Sequence, residues 1–254
     1  MKLTFLGSGT SQGVPVIACE CEVCRSADVE DQRLRSSVLV ESDSTSVVID
    51  TGPDFRQQML NNAVKRVDAL LYTHEHKDHV AGMDDVRAFN FKFKKDMPVY
   101  ASERVQACLK REFHYVFDSL KYPGVPRVFF ETIDAESVFQ IGDIPFQSIE
   151  LMHYKLPVLG YRIKDLVYIT DANYISPEQF EKIKDCKILI LNALRKEKHL
   201  SHFTLDEAIS LAQKTQAEQV YFTHISHLLG RHKTISKHLP ANIQLAYDGL
   251  SIKF

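Results

Sequence analysis

Apolar positions fall into short continuous or alternating runs separated by longer stretches of helical spacing, so strands and helices are expected to alternate along the chain. Residues 3–6 predict a first strand, with Gly7-Ser8-Gly9-Thr10-Ser11 as a tight loop after it. Residues 37–41 and 46–50 predict paired strands, and the start signal Asp50-Thr51-Gly52-Pro53 predicts a helix reaching about Asn62. Residues 67–72 form an apolar run ending in Tyr72, and a helix holding Asp84 to Arg87 is expected beyond Val80-Ala81-Gly82-Met83. A strand at 99–101 and a helix at 103–113 come next, before residues 113–117 and 122–126 break the pattern. This aromatic, proline-containing segment reads either as a rim loop over a pocket or as aromatics packed beneath a loop. Strands dominate 129–171, with turns at Gly142-Asp143 and Lys164-Asp165. A helix at 177–183, a strand at 187–192, a helix at 205–214, a strand running to His224 and a last strand at 247–252 complete the alternation.

The apolar run 67–72 leads directly into Thr73-His74-Glu75-His76-Lys77-Asp78-His79. Imidazole nitrogen and carboxylate oxygen are ligands shared by zinc, manganese and iron, and alternate residues on a strand-end loop converge on one point. His74 and His76 suit one ion, and Asp78 and His79 a second. A solvated His-rich turn gives no reason for a buried strand to aim four such residues at a single place. Arg87 on the following helix is a candidate contact for a substrate phosphate, although pairing with a neighbouring carboxylate is the commoner fate of a surface arginine. Tyr115, in the aromatic segment, is a second candidate contact.

The His-x-His-x-Asp-His pattern resembles the defining motif of the metallo-β-lactamase-fold hydrolases, and later residues recur in that family's order. His153, Asp171 and His224 each follow an apolar run. The resemblance implies an α/β (α+β) architecture, an αββα sandwich of two mixed β-sheets with helices outside. Position by position it implies His74, His76 and His153 on one metal, Asp78, His79 and His224 on the other, and Asp171 bridging them. Asp50 would support the metal loop from behind. His202, in Leu200-Ser201-His202-Phe203-Thr204, is similar to the histidine that ribonuclease Z and its phosphodiesterase relatives place near the metals. It is the expected general acid, with His199 competing.

Cys19, Cys21 and Cys24 lie within six residues, structural-zinc spacing that lacks a fourth ligand. Together with His227, three residues beyond His224, they look like the extra zinc site of PhnP-type cyclic phosphodiesterases. The expectation is therefore one domain over 1–254, with a Cys-rich zinc loop at about 15–28. Its cofactors would be two catalytic divalent ions (Zn or Mn) and one structural Zn. Such a pair of ions holds a bridging water, lowers its pKa and clamps a phosphoryl group. The expected reaction is hydrolysis of a small, cyclic phosphodiester by that bridging hydroxide. A ribonuclease Z-like RNA-processing nuclease, a non-haem iron redox protein of the same fold and a non-catalytic metal-binding protein stand as alternatives. No inserted basic, glycine-rich arm to grip transfer RNA is visible.

Composition adds limits. Hydrophobic residues make up 44% and charged residues 25% of 254, and the formal charge is −2. No general field attracts nucleic acid or an anionic membrane, though a local basic patch and a homodimer stay compatible with these values. The N-terminal apolar stretch is too short for a signal peptide, and no run approaches the ~20 residues of a membrane span. Five cysteines, an odd number, are unlike a secreted disulfide framework. These features predict a cytoplasmic protein.

Overall fold

The computed structural model describes residues 1–119 and 122–254. Strands β1 (Lys2–Gly7), β2 (Ser37–Glu41), β3 (Ser46–Ile49), β4 (Ala69–Leu71), β5 (Met97–Ala101) and β6 (Val128–Thr132) build one sheet. The other holds β7 (Val138–Ile141), β8 (Ile144–His153), β9 (Leu156–Ile163), β10 (Leu166–Tyr168), β11 (Ile188–Asn192), β12 (Gln219–Thr223) and β13 (Ile243–Leu245). Strand β14 (Ser251–Lys253) returns to the edge of the first, giving the orders β14-β1-β2-β3-β4-β5-β6 and β13-β12-β11-β10-β9-β8-β7. Each sheet is mixed. Pairs from β3 to β6 and from β10 to β13 are parallel, and the remainder antiparallel.

Helices α1 (Phe55–Asn61), α2 (Lys77–Val80), α3 (Arg87–Phe93), α4 (Glu103–Glu112), α5 (His114–Phe117), α6 (Pro177–Glu181), α7 (Leu205–Thr215) and α8 (His232–Ser236) join the strands. Three layers of apolar side chains result. Leu3, Val47, Ile49 and Leu71 meet Phe146, Tyr161 and Ile190 between the sheets. Val48, Leu70 and Tyr72 turn the other way, onto Phe55, Val105 and Leu109 of the outer helices. Leu151, Leu189 and Phe222 do the same beneath α7 and α8. Central strands buried on both faces need apolar residues at consecutive positions, which is why they read as continuous runs rather than alternations. The αββα sandwich expected from the motif is the architecture observed.

Three expectations need correction. The helix after the histidine motif is broken into α2, a 3-10 turn at Met83–Val86, and α3. Gly82 causes the break: its N–H donates to Thr51 O, and a Cβ there would lie 2.2 Å from Gly52 O, so the chain must turn to pack on the loop after β3. Residues 114–117 are helical (α5) rather than irregular; residues 120 and 121, within the same expected rim loop, lie outside the described residues. The last strand begins at Ser251, not Tyr247, because the Asp248 carboxylate accepts from Ser8 N and Leu34 N and Gly249 turns with φ +89°. The helix α8 and strand β13 carry too few apolar positions to have been read from pattern. Among the described residues no helix is long and apolar enough to cross a membrane.

Candidate metal centre

The expected ligands gather at the end of β8 and just beyond the ends of β4, β10 and β12. At three of the strand ends that serve the site the chain turns through a left-handed residue that is not glycine: Asp50 (φ 64°), Asp171 (φ 56°) and His224 (φ 56°). Such conformations are costly and persist where surrounding bonds over-determine them. Here those bonds are visible. Asp50, fully buried, accepts from Thr73 N at 2.9 Å, Thr73 Oγ1 at 2.8 Å and His79 Nδ1 at 2.7 Å.

The network fixes the tautomer of four of these imidazoles. The His79 Nδ1 proton goes to Asp50, leaving Nε2 bare; it lies 3.1 Å from Asp78 Oδ2 and 3.2 Å from Asp171 Oδ2, buried, with no hydrogen-bond partner. The Thr73 hydroxyl, having given its hydrogen to Asp50, accepts from His74 Nδ1 at 3.0 Å. His74 Nε2 therefore points its lone pair outward, 3.1 Å from His76 Nδ1. His153 Nδ1 donates to Ser201 O at 2.9 Å, freeing its own Nε2. Ser36 donates to Gly9 O and accepts from His224 Nδ1 at 3.0 Å, so His224 Nε2 faces Asp171 Oδ1 at 3.1 Å. Four imidazoles thus aim bare nitrogens at one place, and His76 Nδ1 lies beside them.

Ligand atoms of His74, His76 and His153 lie within 4.8 Å of one another, as do those of Asp78, Asp171 and His224, and those of His74, His79 and Asp171. Asp171 is absent from the three-histidine group but gathers with His74 and His79 and, separately, with Asp78 and His224, so it reaches expected ligands of both positions. Burial would lower the His79 pKa, but Asp78, Asp171 and Asp50 raise it well above the ordinary range. Burial would likewise raise Asp171, yet His224, His79 and His202 hold it well below the carboxylate range. Two carboxylates flank the buried His79 Nε2 and a third holds the ring from behind, a field that favours a cation there, proton or metal, so the donor set fits divalent metal.

His202 is buried beside this cluster, its ring 4.8 Å from that of His224 and 4.6 Å from that of His153, with Nδ1 3.8 Å from Asp171 Oδ1 and unpartnered. Burial, reinforced by His224, pushes its pKa down to about 2, so the resting imidazole is neutral. His199 is half-exposed, and its Nδ1 lies 3.3 Å from both Ser201 N and Ser201 Oγ, within its own loop. Arg87 pairs with Asp84 at 3.1 Å, and the Tyr115 hydroxyl donates to that same carboxylate. Cys19, Cys21, Cys24 and His227 converge, with Cys19 Sγ and Cys21 Sγ each 3.3 Å from His227 Nδ1 and all four ligand atoms within 4.8 Å. The Cys24 N–H, chiefly, lowers the Cys21 thiol to about 6 against some burial, while burial raises Cys24 to about 11. Sequence reasoning missed Thr73, Ser36 and the Ser201 carbonyl, because their roles depend on where the backbone passes.

Residues 45–225 match the model of the beta-lactamase superfamily domain. A solved diphosphatase of the PhnP family is 41% identical with a TM-score of 0.93, covering 100% of this chain and 97% of that one. The chain belongs to the PhnP family of the β-lactamase superfamily. The membership puts it among metal-dependent hydrolases. An octanoyltransferase from Porphyromonas gingivalis is 38% identical over 252 residues, 98% of this chain but 51% of that protein. The chain spans about half the length of the curated relatives it matches. Zn(2+)-bound PqqB from Methylobacterium extorquens, 18% identical with a TM-score of 0.83 over the whole of both chains, shares the fold.

Proposed function

We infer that this chain is a dinuclear metal-dependent phosphodiesterase acting on a small phosphodiester, cyclic esters first among them. The observation that carries the reading is Asp171, whose carboxylate lies within 4.8 Å of ligand atoms of His74 and His153, assigned to one ion, and of Asp78, His79 and His224, assigned to the other. His74, His76 and His153 would hold one divalent ion (Zn or Mn) and Asp78, His79 and His224 the other. Together the ions would supply a water made nucleophilic at neutral pH and charge neutralisation at phosphorus.

The chain's own residues account for the remainder. Asp50, Thr73, Ser36 and the Ser201 carbonyl hold four of the five ligand imidazoles, all but His76, in the required tautomers, which limits reorganisation when an ester arrives. His202, buried beside the cluster, would deliver a proton to the leaving oxygen. Being neutral at rest, it would take that proton up alongside the anionic ester, whose charge offsets the depressing effect of burial. His199, engaged with Ser201, is the weaker candidate.

A second reading has a specific support: the 41% identical PhnP-family relative is a diphosphatase, so a diphosphate bridge is the alternative bond. A ribonuclease Z-like activity lacks a basic arm to support it, and octanoyl transfer is named for a protein of which this chain matches only half. The test is one metal-loaded preparation offered 2′,3′-cyclic nucleotides, phosphoribosyl cyclic phosphate, a dinucleoside diphosphate and precursor transfer RNA. Cyclic esters should turn over fastest. Two bound metals with no turnover of any phosphate ester would overturn the reading. His202→Ala should keep its metal yet lose about 10²–10⁴-fold in kcat on a poor leaving group, and less on an activated aryl ester.

A further inference from the structure

The loop after β1 reaches the metal centre because it lacks side chains where it must pass closest. A Cβ on Gly7 would lie 2.0 Å from Arg35 O, and one on Gly9 would lie 2.9 Å from Arg33 Cβ. The bare backbone slips between residues 33–36 and the end of β12, where Thr10 N donates to Ile225 O at 3.1 Å and Thr10 O accepts from Gly13 N at 2.8 Å. Thr10 is thereby pinned on both sides. It is buried, 8% exposed, and its hydroxyl lies 3.2 Å from His224 Nε2.

That nitrogen is the one His224 turns toward Asp171. Its ring partner Nδ1 gives its proton to Ser36, so Nε2 carries a single lone pair, which here accepts from Thr10. One lone pair serves either a metal or a hydroxyl. With His224 as a ligand, Thr10 must release it, and a buried hydroxyl seeks another acceptor within reach. The acceptor brought to that position by catalysis is an oxygen of the ester.

We propose that Thr10 is a further catalytic residue, its hydroxyl donating a hydrogen bond to a phosphoryl oxygen of the substrate held at the Asp78, Asp171 and His224 position. The inference rests on the phosphoester reading above. Thr10→Val removes the hydroxyl at nearly constant shape, and Thr10→Ser retains it. Each variant, and the wild type, is loaded with manganese and assayed for bound metal, for binding of inorganic phosphate by calorimetry, and for cyclic-nucleotide turnover.

Thr10→Val is expected to keep both metals, to bind phosphate about tenfold more weakly and to lose at least as much in kcat/KM. Thr10→Ser should recover to within about threefold of wild type, a rescue that a purely packing role for the side chain would not require. Phosphate binding by Thr10→Val equal to wild type would overturn the inference and leave the phosphodiesterase reading intact. Loss of metal in Thr10→Val would overturn it too, by making the hydroxyl a ligand or a brace. Failure of wild type itself to bind phosphate or cleave any phosphoester would defeat the parent reading, and this inference with it.

Discussion

Replacing Asp50 by Asn should disarm both metal positions without touching a ligand. The isosteric amide can keep one oxygen for Thr73 N, but it places an NH₂ where Oδ2 now accepts from His79 Nδ1 and Thr73 Oγ1. His79 must then accept at Nδ1 and carry its proton on Nε2, the atom facing Asp78 and Asp171. Thr73 also loses its acceptor and is free to donate to His74 Nδ1, inverting that ring as well. Removing one such supporting partner typically weakens metal affinity 10–100-fold. One carboxylate serves two ligands here, so we expect the upper end, about 100-fold or about 2.7 kcal/mol. The metal-free fold should change little, because the substitution removes a buried charge while keeping the shape; Asp50→Ala, by contrast, strands three donors at about 1–3 kcal/mol each. Chelator competition gives the affinity, and ¹⁵N imidazole shifts give the tautomer. Affinity within threefold of wild type, with His79 Nε2 still unprotonated, would refute the reasoning.

Further outcomes are expected elsewhere. Asp171→Ala should lose metal from both positions together with turnover, so a variant holding two ions tightly at full activity would contradict the bridging assignment. Cys21→Ser should release one zinc per chain, lower the melting temperature and weaken metal binding at the Asp78, His79 and His224 position; unchanged zinc content counts against the site. Burial raises the Asp248 carboxyl from its ordinary 3.8 to about 6. A group that binds its proton more tightly when folded stabilises at low pH, so its contribution should decline by on the order of 2 kcal/mol between about pH 4 and 6 and then level off. Urea unfolding of wild type and Asp248→Asn across that window isolates the effect, and a wild-type curve rising relative to the variant contradicts it.

How much was legible depended on how local each cause is. His74 to His79 could be read because four ligand-type residues fall within six positions and follow a buried strand. His153, Asp171 and His224 carry no local mark, and only their order after three apolar runs suggested them. Asp50 was legible by the same resemblance, though its reach to two histidines was not. The Thr10 hydroxyl, the Ser36 relay and the Ser201 carbonyl act at sequence separations of 214, 188 and 48, where no pattern in one chain points. The break at Gly82 belongs to this class too: nothing in Val80-Ala81-Gly82-Met83 announces that the loop at Gly52 will press against it.

Residues 224–227 show how the centre is held as one body. Ile225 N donates to Ser8 O and Ile225 O accepts from Thr10 N, so the segment pairs with the loop after β1 on one side. On the other, Ser226 N donates to Leu194 O, and Leu194 N in turn donates to Phe203 O, next to His202. The same four residues carry His224 into the His/Asp cluster and His227 to the cysteines. Because the His224 ring is fixed by Ser36 at one nitrogen, it has no rotamer with which to absorb a shift of its backbone. A displacement that begins in the cysteine loop must therefore travel as movement of this strut. Its effect should fall on the Asp78, Asp171 and His224 position before the three-histidine position, which hangs from β4 and β8 instead.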